Sequence, residues 1–153
     1  MTYSTFDKLK QYPIENAKVC TYNDCTLVNG FLSANELVNL NLVDYKYREI
    51  RLREDAAESF NSIHEKYLRE TRHPLVITDS YRCFDRQVQE ILENKFISSI
   101  PGTSMHGWGL SLDIPRYISY NELFKDLINT LLMSHGWICD KKEYWHWDFR
   151  TII

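Results

Sequence analysis

The sequence predicts an α+β fold, in which helices pack on a small antiparallel sheet. Segments with the alternating pattern of strands and segments with the helical period follow one another without regular βαβ alternation. Of the 153 residues, 44% are hydrophobic and 14% aromatic, which is enough apolar material for one core. No internal repeat, low-complexity tract or Gly/Ser linker divides the chain. We therefore expect residues 1–153 to form a single domain.

Three longer helices are predicted from the spacing of apolar residues. Over residues 54–70, apolar residues recur every three or four positions and define one amphipathic face. Residues 84–95 show the same pattern. A third helix is expected to begin at the capping-box pattern SYNE, residues 119–122, and to end at the His-Gly pair 135–136. The residues expected on its inward face are Leu123, Leu127, Ile128, Leu131 and Leu132. A second capping box, SANE at 33–36, predicts a short helix.

Five segments are predicted to form strands. Residues 45–52 alternate between apolar and polar side chains, and residues 75–79, LVITD, are rich in β-branched residues, which is typical of a central strand. Residues 110–113, LSLD, alternate as well. The chain is expected to finish with two strands, GWIC at 136–139 and YWHWDF at 144–149.

The charge balance limits the classes of partner. The net charge is −3 and the pI is about 5.9, whereas binding nucleic acid mainly through its phosphates requires a basic excess. The start, MTYSTFDKLKQYPIENAK, has no apolar run of signal-peptide length, and no run of about 18 apolar residues occurs elsewhere. We expect a monomer that is made in the cytoplasm and binds neither nucleic acid nor membranes.

The four cysteines are Cys20, Cys25, Cys83 and Cys139, and their spacing matches no common zinc or redox motif. A reducing compartment keeps thiols unpaired. We therefore expect free thiols, with a Cys20–Cys25 disulfide as the alternative if the protein works outside the cell.

Two short stretches contain the residue types of a metal site. His106 lies in the glycine-rich turn of GTSMHGWGLSLDI, residues 102–114, and Asp113 ends its strand-like part. Asp113 is flanked by apolar residues, and a buried carboxylate needs a compensating partner such as a cation. His146, in EYWHWD, would be a third ligand, and a catalytic zinc takes three protein ligands. These residues predict a zinc site in a cleft.

Two further residues would supply chemistry at such a site. Glu143 precedes His146 by three residues, so its carboxylate could approach water at the metal. A carboxylate there can take a proton from water that attacks a carbonyl and return it to the leaving amine. Arg82, just after LVITD, would place a cation near the developing oxyanion. Each signal alone favours an ordinary structural role, but their combination predicts a metallopeptidase site.

The motifs DSYRCFDRQ, PGTSMHGWGLSLDI, HGW and EYWHWDF resemble, in order and spacing, the VanY-type zinc D-alanyl-D-alanine carboxypeptidases. This family includes phage endolysins that cut L-alanyl-D-glutamate bonds. Its patterns S-x-H-x-x-G-x-A-x-D and E-x-x-H match residues 104–113 and 143–146, and the resemblance covers about residues 28–149. Ser111 stands where the family has alanine, and Ser80 where many members have glycine.

The resemblance implies a role for each of these positions. The implied zinc ligands are His106, Asp113 and His146. Glu143 would be the general base and acid, and Arg82 would polarise the scissile carbonyl. Ser104, Tyr81 and Gln87 match positions that line the substrate cleft, and Trp145, beside His146, is expected to shape it.

The expected function is hydrolysis of a peptidoglycan stem peptide by a zinc peptidase, at either a D-Ala-D-Ala or an L-Ala-D-Glu bond. The alternative is a non-catalytic zinc-containing module that binds cell wall or protein, because hedgehog signalling domains resemble this fold and serve mainly in recognition. The presence of both Glu143 and Arg82 favours the enzyme. The favoured setting is a phage endolysin released from the host cytoplasm to the wall; a tail-associated peptidase and a bacterial dipeptidase stay open.

Overall fold

The computed structural model describes residues 17, 19, 26–43, 47–93 and 99–149. In chain order, its longer elements are β1 (Val38–Val43), β2 (Glu49–Leu52), α1 (Glu54–Thr71), α2 (Phe84–Glu93), β3 (Ser111–Asp113), α3 (Ser119–Leu123), α4 (Lys125–Ser134), β4 (Trp137–Cys139) and β5 (His146–Phe149). Within these ranges, two short 3₁₀ helices cover Ala34–Glu36 and Met105–Trp108. The predicted α+β class is confirmed.

The strands form two small antiparallel sheets. Strand β1 pairs with β2, and β5 lies between β3 and β4 in the second sheet. The predicted strand at 45–52 is confirmed in its second half, while residues 44–46 lie outside the described part. Its partner β1 was not predicted, although VNLNLV alternates as a half-buried strand does.

One core of buried side chains joins both sheets to α1 and α4. Phe60 and Tyr67 of α1 have no exposed surface, and Trp137 of β4 is 2% exposed. Burying a large apolar side chain contributes about 1.5–3 kcal/mol to the stability of the fold. The indole N–H of Trp137 also donates to the hydroxyl of Ser59 at 3.0 Å. Helix α1 and the sheet of β3, β5 and β4 are thereby fixed relative to each other.

The prediction of a central strand at 75–79 is wrong. Among the described residues, the segment makes only an isolated bridge between Asp79 and Asp113. The side-chain amide of Asn121 takes the place of a neighbouring strand, because it donates to the carbonyl of Val76 at 3.1 Å and faces the Val76 N–H at 3.5 Å. The apolar pattern of the segment reflects the burial of Leu75 and Ile77, not strand pairing.

The predicted third helix is interrupted at Phe124. The backbone there has φ −106° and ψ 21°, which is not helical, so α3 ends before this residue and α4 begins after it. Leu123 is 71% exposed, against the expectation that it faces inward, while Ile128, Leu131 and Leu132 are buried as predicted. The predicted capping box is also wrong, since Ser119 is the first helical residue and Ile118 occupies the cap position.

The structure describes part of what was predicted for the SANE segment and for the cysteines. At the SANE segment, the carboxylate of Glu36 accepts the N–H of Ser33 at 2.6 Å. Cys83 and Cys139 are free thiols, while Cys20 and Cys25 lie outside the described residues. None of the helices in the described ranges is long and apolar enough to cross a bilayer.

Candidate metal centre and cleft

Two of the candidate residues face each other across strands β3 and β5. The antiparallel register makes Asp113 the direct partner of His146, and Ser111 the partner of Asp148. Residues two apart on a strand point to the same face. This face of the ladder therefore collects two carboxylates, an imidazole and a hydroxyl.

His106 reaches the same place from the 3₁₀ helix that precedes β3. The hydroxyl of Ser104 accepts the N–H of His106 at 3.3 Å and so caps this helix. Gly109 ends the helix with φ +69°, in the left-handed region that glycine adopts without strain. The chain then turns directly into β3, which brings His106 beside Asp113.

An amide network supports this loop from behind. The side chain of Asn29 donates to the carbonyl of Ser104 at 2.7 Å, and Gln87 donates to Asn29 at 3.1 Å. The oxygen of Gln87 accepts the N–H of Gly102 at 2.8 Å. Gly107 packs so closely that a Cβ there would collide with the amide of Asn29. These contacts therefore hold residues 102–107 in a defined position against Asn29 and Gln87.

The side chains of His106, Asp113 and His146 converge. Nε2 of His106 and Nδ1 of His146 each lie 3.1 Å from Oδ1 of Asp113. The ligand atoms of the three residues all lie within 4.8 Å of one another. The structure thus brings together the three side chains that were predicted to bind metal.

The opposite nitrogen of each imidazole has its own partner. Nδ1 of His106 lies 2.8 Å from the carbonyl oxygen of Ser80, and Nε2 of His146 lies 2.7 Å from Oδ1 of Asp148. Because a carbonyl oxygen can only accept, Nδ1 of His106 carries a proton, so the neutral form of this ring has its lone pair on Nε2, the nitrogen that faces Asp113. Two oriented imidazoles and one carboxylate fit a three-ligand metal site.

The pKa values of this group reflect its shared charges. Burial raises the pKa of Asp113, but the positive charge of His106 and hydrogen bonds from both imidazoles lower it well below its ordinary value. Burial lowers the pKa of His146, but hydrogen bonds to Asp113 and Asp148 outweigh it and raise the pKa to about 10. Ligation requires the neutral imidazole, so a metal ion must compete with a proton at His146.

The three residues lie in an open cleft of about 470 Å³. Four more of the predicted site residues line this cleft, namely Arg82, Ser104, Glu143 and Trp145. Ser104 is buried, whereas Trp145 is 44% exposed at the cleft. Polar side chains and one aromatic side chain therefore surround the candidate metal position.

Arg82 is held at the cleft by Asp79. Its guanidinium donates to Oδ2 of Asp79 at 2.6 Å and 3.2 Å, and Arg86 donates to the same carboxylate at 3.2 Å and 3.3 Å. Burial raises the pKa of Asp79, but the charges of His106, Arg82 and Arg86 together lower it below its ordinary value. One buried carboxylate thus fixes the direction of both arginines.

Glu143 lies at the edge of the cleft, on the turn before β5. Oδ1 of Asp140 accepts the N–H of Lys142 at 2.7 Å and the N–H of Glu143 at 2.9 Å, which is the arrangement of an Asx turn. The carbonyl of Glu143 accepts the N–H of His146 at 2.9 Å. The E-x-x-H spacing is therefore a tight turn that connects Glu143 to a candidate ligand.

The sequence matches no protein-family model and no curated protein. Solved structures do resemble the chain. The LD-carboxypeptidase LdcB, whose structure concerns peptidoglycan recognition, has a TM-score of 0.57 at 21% identity, over 78% of this chain and 70% of its own. VanYB in complex with D-alanine-D-alanine has a TM-score of 0.51 at 18% identity, over 74% of this chain and 87% of its own. A variant of the D,D-pentapeptidase VanY in complex with Zn(II) has a TM-score of 0.52 at 19% identity, over 74% and 89%.

The chain has the fold of these peptidases.

Two predicted substrate-binding residues of this VanY-like fold do not line the cleft. Tyr81 is 6% exposed, and its hydroxyl accepts the N–H of Leu32 at 3.0 Å. Gln87 is 2% exposed, and its side-chain amide makes hydrogen bonds within the internal network behind the 3₁₀ helix Met105–Trp108. Both polar groups already have partners inside the protein, and the structure does not bring either side chain to the cleft.

Sequence reasoning missed three aspartates that position site residues in this VanY-like fold, namely Asp79, Asp140 and Asp148. Strand alternation could have indicated Asp148, since it lies two residues after His146. An aspartate three residues before Glu143 is typical of an Asx turn and could have indicated Asp140. Asp79 had no comparable local signal.

Proposed function

We propose that this chain is a zinc-dependent peptidase that hydrolyses a peptide bond of the peptidoglycan stem peptide. The observation that carries the proposal is the convergence of His106, Asp113 and His146 in one cleft with Glu143. Two imidazole nitrogens and one carboxylate suit zinc and leave a fourth position for chemistry. Solved structures of the same fold with Zn(II) and with D-alanine-D-alanine support the choice of metal and of substrate class.

The side chains of this site supply proton transfer and charge stabilisation. When bound, zinc polarises a carbonyl and brings the pKa of water to about 7. Glu143 takes a proton from water as the new C–O bond forms, and gives it to the amine as the C–N bond breaks. Arg82, fixed by Asp79, places positive charge on the cleft wall where the oxyanion develops.

The cleaved bond distinguishes two forms of this proposal. A carboxypeptidase must bind the terminal carboxylate of its substrate with a cation or backbone donors, whereas an endopeptidase must leave that end free. The cleft is open, which suits polymeric cell wall. We therefore favour a wall-lytic enzyme, such as a phage endolysin, over a dipeptidase of small peptides.

The test is mass spectrometry of purified peptidoglycan after incubation with zinc-loaded protein, with metal-stripped protein, and with stripped protein to which zinc is returned. We expect new peptide ends only in the two zinc-containing samples. Free D-alanine would identify a carboxypeptidase, and new ends between L-alanine and D-glutamate an endopeptidase. Zinc-loaded protein that binds wall fragments without cutting them would contradict the proposal and favour a non-catalytic binding module.

The turn that carries Glu143 gives a second test. Replacement of Asp140 by alanine removes the acceptor for two backbone N–H groups, so Glu143 should lose its defined position. We expect kcat/KM to fall by up to about 100-fold, since a displacement of about 1 Å can cost that much. Zinc affinity should stay at the wild-type value, because the ligands are untouched. The measurement is steady-state hydrolysis of a stem peptide, with zinc affinity from chelator competition.

The matched control is Asp140→Asn, whose side-chain oxygen can still accept both N–H groups. It should keep most of the wild-type kcat/KM. Equal losses in the alanine and asparagine variants would show that the negative charge of Asp140 matters, and that the turn does not.

A further inference from the structure

Asp148 and Ser111 form a hydrogen-bonded pair beside the candidate metal position. They are direct partners across strands β3 and β5. The hydroxyl of Ser111 donates to Oδ1 of Asp148 at 2.6 Å, and the same oxygen lies 2.7 Å from Nε2 of His146. Ser111 is completely buried, and the side chain of Asp148 is 30% exposed. The direction of this carboxylate is therefore set from within the sheet.

Asp148 is placed to orient a ligand and not to be one. It acts on the side of the His146 ring opposite to Nδ1, which faces Asp113 at 3.1 Å. In the part of the chain that the structure describes, the group whose ligand atoms converge contains His106, Asp113 and His146 but not Asp148. The carboxylate thus acts on the metal position only through the imidazole.

The two imidazoles are held by different kinds of partner. His106 is oriented by the backbone carbonyl of Ser80, which is present whatever residue occupies that position. His146 is oriented by a side chain, which in turn is oriented by the hydroxyl of Ser111. A carboxylate that accepts from one nitrogen keeps the proton there and leaves the lone pair on the other nitrogen. The orientation of His146 therefore depends on two side chains, and substitution of either residue would alter it.

We propose that Asp148, aligned by Ser111, is a positioning residue that holds His146 with its proton on Nε2 and presents Nδ1 to the metal. The pair also explains why a serine occupies position 111, where the VanY-type pattern has alanine: an alanine would leave the carboxylate without its buried donor. The identity of the metal as zinc comes from the proposed function, but the positioning role requires no hydrolysis.

The test measures zinc affinity by competition with a chromogenic chelator, and the protonation of the two ring nitrogens of His146 by long-range ¹H–¹⁵N NMR of the zinc-free protein. Asp148→Ala should weaken zinc binding about 10- to 100-fold, the usual effect of removing a partner of a ligating histidine. Ser111→Ala keeps the carboxylate and should weaken binding less, by a few-fold on the same scale. Asp126→Ala removes an exposed carboxylate of α4 and should leave zinc affinity unchanged.

The proposal would be overturned if the Asp148→Ala protein bound zinc as tightly as the wild type does. An affinity loss in a variant whose His146 is still protonated at Nε2 alone in the zinc-free protein would also overturn it, because the carboxylate would then act in another way. If Asp148→Ala does not fold, Ser111→Ala provides the affinity measurement, and unchanged affinity in that variant would overturn the alignment that the proposal assigns to Ser111. Wild-type protein that binds zinc but cuts no peptidoglycan would refute the proposed function and leave this inference standing.

Discussion

Zinc-loaded Glu143→Gln protein should bind zinc as the wild type does and lose hydrolysis by about 10²- to 10⁴-fold, the usual contribution of a positioned general base. Glutamine has nearly the same shape as glutamate, so the turn held by Asp140 should persist. It cannot accept the proton of water or return one to the leaving amine. The measurement is kcat on a stem peptide, at zinc concentrations that saturate both proteins.

The matched control for this variant is Glu122→Gln, which neutralises an exposed glutamate of α3 that does not line the cleft. It should leave both kcat and zinc affinity unchanged. A Glu143→Gln protein with wild-type kcat would remove Glu143 from the mechanism. A loss of zinc binding in that variant would make Glu143 a ligand and change the assignment of the site.

Replacement of Asp79 by asparagine should lower the free energy of unfolding by about 3 kcal/mol, because it leaves Arg82 and Arg86 without their shared carboxylate. The side chains of the two arginines are only 12% and 21% exposed, so water compensates poorly. In a chain of this size the loss corresponds to a fall in Tm of roughly 6–12 °C. Calorimetry and urea unfolding of the two proteins would measure it.

The stability difference between the two proteins should depend on pH in a defined direction. The pKa of Asp79 lies below its ordinary value of 3.8 in the folded protein. Its contribution is therefore complete above that value and disappears as the pH falls below it. The gap in unfolding free energy should be widest near neutral pH and shrink below about pH 4. A gap that stays constant into acid would mean that Asp79 acts through its shape alone.

An exposed ion pair provides the control for that experiment. Glu65 lies 3.9 Å from Arg69 on α1, with side chains that are 78% and 68% exposed. Exposed pairs of this kind contribute little to stability. Glu65→Gln should therefore leave Tm unchanged at every pH, which separates the effect of the buried carboxylate from a general change in net charge.

The candidate metal residues could be found from the sequence because each lies in a short pattern that carries its own signal. His106 lies in a glycine-rich turn, Asp113 interrupts an apolar strand, and Glu143 and His146 have the spacing of a tight turn. The amphipathic period of residues 54–70 likewise predicted α1 almost to its ends. These features depend on neighbours a few residues away.

The features that escaped prediction depend on distant partners. The segment 75–79 has the composition of a strand, but the backbone carbonyl of Val76 accepts a hydrogen bond from the side chain of Asn121, 45 residues later. The pairing of Ser111 with Asp148 follows from the register between β3 and β5, which the spacing of the two segments does not define. Composition indicates that a segment is buried, whereas only the tertiary structure decides what lies beside it.

The amide network behind the 3₁₀ helix also determines how far the metal centre can be separated from the rest of the protein. A fragment of residues 101–149 would contain His106, Asp113, Glu143 and His146. It would lack the Ser80 carbonyl that orients His106 and the Asn29 amide that reaches across 75 positions to the Ser104 carbonyl. Grafting the motif into another scaffold would therefore transfer the ligands without their geometry. The geometry of the site therefore depends on residues as far back in the chain as Asn29.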